Sequence, residues 1–124
     1  MKTLLLLLLS LVAAMPAAMG QVADQKFTVS GTVVDSISRD GEPYATISIT
    51  RKEKPGKAVK MAVTDKDGRF SETMSGKGSF VITISSIGRK AITRNFSVTE
   101  GKKAIDLGTL YITDAKNELE ALRL

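Results

Sequence analysis

From residue 27 onward, apolar and polar positions alternate with a period of two. Phe27, Val29 and Val33 share one parity and Thr28, Ser30 and Thr32 the other; Ala45, Ile47 and Ile49 alternate with Thr46, Ser48 and Thr50. Val59, Met61 and Val63 alternate with Lys60 and Ala62, and Phe80, Ile82 and Ile84 with Val81, Thr83 and Ser85. This pattern sets one face of a strand on a core and the other in water, as in an antiparallel sheet. Val59, Met61 and Val63 are therefore expected inside. Further strands are predicted over 69–74, 91–98 and 105–112. Turn chemistry separates the runs: Arg39-Asp40-Gly41-Glu42-Pro43, Lys54-Pro55-Gly56-Lys57, Asp65-Lys66-Asp67-Gly68, Ser75-Gly76-Lys77-Gly78 and Glu100-Gly101-Lys102-Lys103. The spacing predicts an all-β fold, a single antiparallel β-sandwich of about seven strands with Greek-key connections.

Residues 1–20 break the pattern. Met1-Lys2-Thr3 leads into Leu4–Leu9, Ser10 and Leu11-Val12-Ala13-Ala14, an apolar run of about eleven residues where a spanning helix needs about twenty. Pro16 ends the run, and Ala18 and Gly20 supply small residues at the positions a signal peptidase reads. The expected organisation is a signal peptide over 1–20, a lead-in over 21–25, the sandwich over 26–113 and a tail or short helix over 114–124. In that last segment Asp114 can cap, and Leu119 and Leu122 fall on one side. The product is expected to be exported to the periplasm, with no membrane span after signal removal.

Composition narrows the chemistry. Removing twenty of 124 residues leaves 104, one domain large enough for a core of its own. There is no His, Cys or Trp, so metal-ligating imidazoles, thiol nucleophiles, disulfides and a lipid-anchored cysteine are all excluded, and packing must supply the stability. With Lys2 gone, 17 basic and 13 acidic side chains remain, a net of +4. Much of the excess lies in Arg51-Lys52-Glu53-Lys54-Pro55-Gly56-Lys57-Ala58-Val59-Lys60. No aromatic residue is interleaved there for base stacking, so the stretch reads as a solvated hairpin loop and no nucleic-acid partner is expected.

Each candidate site has a plainer reading. In Asp65-Lys66-Asp67-Gly68, a calcium loop would place Val63 and Met74 at positions that must supply oxygen, so the motif is expected to be a tight turn. Asp65 and Asp67 lack a pocket to split their pKa values as an acid/base pair. Gly76-Lys77-Gly78 is too short for a phosphate loop and reads as a hairpin turn. Asn95-Phe96-Ser97 fits a glycosylation acceptor but falls inside a strand. Phe27, Phe80 and Phe96 share parity with aliphatics, which leaves Tyr44 and Tyr111 as the sugar-stacking candidates. Nothing marks a concave polar cluster. No catalytic, cofactor-binding or metal-binding residue is assigned, no cofactor is expected, and the protein is read as a non-enzyme.

Several segments together resemble the carboxypeptidase regulatory-like domain, which has a transthyretin-like sandwich. They are Val29-Ser30-Gly31-Thr32-Val33-Val34-Asp35, Glu42-Pro43-Tyr44-Ala45-Thr46-Ile47-Ser48-Ile49, Val63-Thr64-Asp65-Lys66-Asp67-Gly68-Arg69-Phe70, Phe80-Val81-Ile82-Thr83-Ile84-Ser85-Ser86-Ile87-Gly88 and Leu107-Gly108-Thr109-Leu110. The resemblance implies a module like the one at the periplasmic N-terminus of TonB-dependent outer-membrane receptors, without their barrel. Its partner would be another envelope protein, a receptor or barrel component. Arg89 departs from the family pattern, standing where an aromatic usually follows Gly88. Three functions follow as expectations: a structural or protein-interaction module at the outer membrane, a carbohydrate-binding module, and an enzyme with an unrecognised Ser–Lys or Asp site. An open sandwich also leaves edge strands able to add a partner strand, with Lys57, Lys60, Arg89 and Lys90 as edge guards in the opposing reading.

Overall fold

The structure is a computed structural model and describes residues 25–115. The signal segment, residues 21–24 of the lead-in, and 116–124 with Leu119 and Leu122 lie outside the described residues. Eight strands form: β1 (Lys26–Asp35), β2 (Thr46–Arg51), β3 (Lys54–Val63), β4 (Arg69–Ser75), β5 (Gly78–Ser85), β6 (Arg89–Lys90), β7 (Ile92–Val98) and β8 (Ala104–Asp114). They make two four-stranded sheets in the orders β4-β1-β8-β6 and β3-β2-β5-β7. The chain changes sheet at every connection except the β2–β3 hairpin. The eighth strand is the two-residue β6, too short for a periodicity signal.

Parity placed the core correctly in the central strands. Phe27, Val29, Val33, Ala45, Ile47, Ile49, Phe80, Ile82 and Ile84 are all buried, and Phe70, Met74, Ile92, Phe96, Val98, Leu110 and Ile112 complete one cluster. Each large side chain taken out of water stabilises the fold by roughly 1.5–3 kcal/mol, so the inter-sheet layer replaces the missing disulfides. At one end Phe27, Phe80 and Phe96 pack together, with ring centroids 5.4–6.4 Å apart.

Three details depart from the alternation. The β1–β8 pair runs parallel and slips register between Ser30 and Thr32, where antiparallel ladders were expected. β8 spends an extra residue at Leu107–Gly108, so the buried parity passes from Ile105 and Leu107 to Leu110 and Ile112. Gly31 lies opposite the bulge, and a Cβ there would come within 2.8 Å of the Phe70 ring. Second, Ser75–Gly78 is not a hairpin turn, because β4 and β5 belong to different sheets. Third, the expected turn at 54–57 is the start of β3; the hairpin closes at Lys52-Glu53, between paired Arg51 and Lys54. Pro55 is tolerated there because β3 is an edge strand. At the other terminus Asp114 ends β8, paired with Arg89, and Ala115 directly after it is helical; the rest of the expected tail or short helix lies outside the described residues.

Candidate interaction surface

The Asp65 motif is a turn, as its residues predict. One Asp65 carboxylate oxygen accepts from the backbone N–H groups of Asp67 (2.8 Å) and Arg69 (2.9 Å), which holds its pKa below the usual value. The turn carries the chain from the second sheet to the first. It also packs against Gly41: Val33 N–H donates to Gly68 O (2.7 Å) and Glu42 N–H to Val33 O (2.8 Å). Gly68 has φ +80°, and a Cβ there would lie 2.2 Å from Val33 O, so only glycine fits. Thr64, fully buried, secures the neighbouring crossing, donating to Glu42 O (2.7 Å) and accepting from Ala45 N–H (2.8 Å). Among the described residues no three Asp or Glu side chains gather to hold a metal ion.

Arg89 does more than guard an edge. From β6 it donates to the Asp35 carboxylate at the end of β1 and to both oxygens of buried Glu42 (3.1 and 3.3 Å). Ser86, beyond the end of β5, donates its hydroxyl to Glu42 (2.9 Å). One guanidinium thus ties the first sheet, the Glu42 loop and the end of a second-sheet strand. The other Asp35 oxygen accepts from Ile37 and Ser38 N–H (both 2.8 Å). These two backbone bonds, then Arg89, lower the Asp35 pKa from 3.8 to about 2; the Arg89 pKa is raised in turn, first by Asp35. The aromatic that the family pattern places here is replaced by an ion-paired lock. Sequence reading found Arg89 only as a missing anchor. Its partners lie 54 and 47 residues away, and no local pattern connects them.

The tyrosines are not brought together. Tyr44, with φ 55° and 68% exposed, borders an open depression of about 820 Å3 that also meets Thr32, Asp65, Arg69, Asp106 and Thr109. This is a concave, partly polar surface that sequence reading did not find, assembled from β1, β4, β8, the end of β3 and two turns. Tyr111 lines a separate, smaller depression with Lys90 and Arg94 and lies under the Arg39 guanidinium, 4.8 Å from its centroid. Asn95 is exposed on β7 while Phe96 is buried. In the basic stretch, Arg51 stacks 5.0 Å over the Phe80 ring and donates to Lys77 O (3.2 Å); it is not simply solvated.

The largest correction concerns β3. Val59, Met61 and Val63, expected inside, are 47%, 58% and 59% exposed. Register decides this. Buried Ile47 and Ile49 of β2 stand opposite Ala62 and Lys60, whereas Met61 and Val63 stand opposite outward-facing Ser48 and Thr46. Residues opposite one another share a face, so the whole apolar row of β3 turns to solvent. Ala62 packs against the core with its methyl group, and Lys60 is half-buried. The ladder passes over Val59 between Ile49 and Thr50, a bulge that the misplaced turn at Pro55-Gly56 had hidden. The result is an apolar ridge on an unpaired edge strand, with Tyr44 and Val63 lining the same depression at its end.

Solved structures with this fold include the TIE protein of Bacillus anthracis (TM-score 0.58, 22% identity, over 72% of this chain and 17% of that one). BcpA, the major pilin subunit of Bacillus cereus, aligns over 73% of this chain and 31% of its own (TM-score 0.58, 15% identity). The 5-hydroxyisourate hydrolase of Klebsiella pneumoniae aligns over 68% and 90% (TM-score 0.52, 19% identity). These likenesses are of fold, and the chain spans only a fraction of the first two proteins. No curated protein sequence matches significantly. The carboxypeptidase regulatory-like domain matches residues 28–107, from β1 into β8. The whole second sheet, the Gly41–Gly68 contact and the Glu42 loop lie in that span; the chain belongs to the carboxypeptidase regulatory-like domain family.

Proposed function

We propose that this domain is a non-catalytic, exported module with a structural or protein-interaction role at the bacterial outer membrane, facing the periplasm. In that reading it resembles the N-terminal extension of a TonB-dependent receptor, and its partner is an outer-membrane receptor or barrel component. The supporting observation is the parallel pairing of β1 and β8 at the centre of one sheet. The described chain enters at one end of the sandwich and leaves at the other, with both ends tied down. Gln25 bonds Thr99 O, Lys102 O and Gly101 N–H at the entry, and Ala115 N–H bonds Gly88 O at the exit. Such a layout suits a rigid unit set in series between other elements. Fractionation of secreting cells with proximity labelling from the protein tests it. Recovery in the envelope with outer-membrane neighbours is expected; a cytoplasmic protein, or one without envelope neighbours, would overturn it.

A second reading rests on Tyr44. An exposed ring beside hydroxyls and carboxylates in an open depression offers the apolar face and polar edge that a sugar ring requires. A glycan array decides it: binding lost in Tyr44→Ala supports a carbohydrate module, and no hit removes that reading.

A further inference from the structure

Among the described residues four strands lie at a sheet edge: β4, β6, β3 and β7. The outward rows of β4 and β7 carry exposed Ser71, Thr73 and Ser75, and exposed Thr93, Asn95 and Ser97; β6 is two residues long. Among the described residues only β3 combines a long free edge with an outward apolar row. That row contradicts its own fold, since an alternating strand normally buries the side this one exposes. Conflicts between local pattern and tertiary placement are expected where a surface has a second use.

The charge along β3 says what covers it. Lys54 and Lys57 lie at its start, and Asp65 and Asp67 follow its end. An antiparallel copy of the same strand brings each charged end against its opposite. We infer that the chain pairs with a second copy of itself through β3, antiparallel, about a two-fold axis at Met61. In this register Met61 meets Met61, and Val59 of each copy meets Val63 of the other. Lys57 of each copy comes beside the Asp65 turn that follows the other copy's Val63, so opposite charges meet at both ends. Half-buried Lys60 stands opposite Ala62, whose small side chain leaves it room. No like charges face one another, whereas moving the axis to Lys60 would oppose the two ammonium groups. Pro55 blocks further pairing at the start of the strand, which confines the contact to the apolar stretch. The interface is isologous and closed, so it yields a dimer and not a fibre.

The inference is independent of the envelope role and is tested on the processed chain recovered from secreting cells. Sedimentation at micromolar concentration should show a dimer. Met61→Lys should raise its dissociation constant by about tenfold or more, while Thr73→Lys on the other sheet leaves it unchanged. The chain has no cysteine, so Met61→Cys gives a clean readout: mild oxidation should join two copies, because a directly opposed pair has the spacing a disulfide requires. Thr73→Cys should give no disulfide-joined pair under the same treatment. All four substitutions fall at the two exposed positions Met61 and Thr73, and unchanged thermal melting confirms the fold. A wild-type monomer, a dimer insensitive to Met61→Lys, or no disulfide from Met61→Cys would overturn the inference, whatever the labelling experiment finds.

Discussion

The two ends of the sandwich are each closed by an arginine, and the two solutions differ. At the entry end Arg51 lies over Phe80, in an aromatic cluster with Phe27 and Phe96. At the exit end Arg89 sits among Asp35 and Glu42, with Ser86 completing the set. One arginine finishes a hydrophobic structure and is partly dispensable to it. The other is the structure, since without it a buried carboxylate loses most of its partners. Burial of apolar area tolerates the loss of a lid; a buried polar network does not tolerate the loss of its centre.

That contrast is open to direct tests. Phe80→Ala should have the largest effect, about 3–5 kcal/mol in chemical denaturation, because it removes a fully buried ring that packs on both other phenylalanines and carries Arg51. If it costs no more than a surface substitution, the aromatic end is not the anchor of the fold. Arg89→Ala comes next, at roughly 1–3 kcal/mol, the range for leaving a buried polar group short of partners. The same change in a Glu42→Gln background should cost less, since the stranded charge is then gone.

Acid unfolding sharpens the exit end further. The folded Asp35 pKa is about 2, below its ordinary 3.8, so this group's stabilisation is present above about pH 3.8 and is lost as pH falls towards 2. Asp35→Asn should flatten that part of the stability curve. Arg89→Ala should leave much of it, because the two backbone N–H bonds to Asp35 are the larger causes. Equal flattening by both variants would put the ion pair, and not the turn, in charge. Arg51→Ala should have the smallest effect, about 0.5–1 kcal/mol, read as a small shift in the denaturation midpoint. A loss matching that of Arg89→Ala would erase the distinction between the two ends.

How much of this was legible in the sequence follows the same division. The aromatic end could be read from parity alone, because Phe27, Phe80 and Phe96 sit on central or regularly paired strands where pattern and fold agree. The polar end could not, since Asp35, Glu42 and Arg89 meet only after the chain has crossed between sheets several times. β3 fell between these cases. Its alternation was real, but an edge strand packs on one neighbour only, and the orientation depends on where the preceding turn closes. Pro55-Gly56 suggested the wrong place, and the Val59 bulge compounded the error. In β8 the signal was present but unused: two residues separate Leu107 from Leu110 where alternation allows one, which is the mark of the bulge. The Tyr44 depression drew its walls from segments as distant as Thr32 and Thr109, and carried no linear pattern.

The pairing of the first strand with the last also governs how the domain would respond to force. If its neighbours pull on Lys26 and Asp114, the load runs lengthwise along β1 and β8 in opposite directions. Their ladder extends from Thr28 opposite Ala104 to Asp35 opposite Ile112. The backbone bonds between them are then strained together, in shear, and cannot be peeled apart one at a time. A hairpin pulled from its two open ends would unzip bond by bond at much lower tension. Forced unfolding is a matter of barrier height and not of equilibrium stability, so the domain should resist stretching better than its modest core suggests. Single-molecule pulling through the two termini should show one abrupt rupture, and pulling through Lys26 and Ser75, the antiparallel β1–β4 pair, a weaker one.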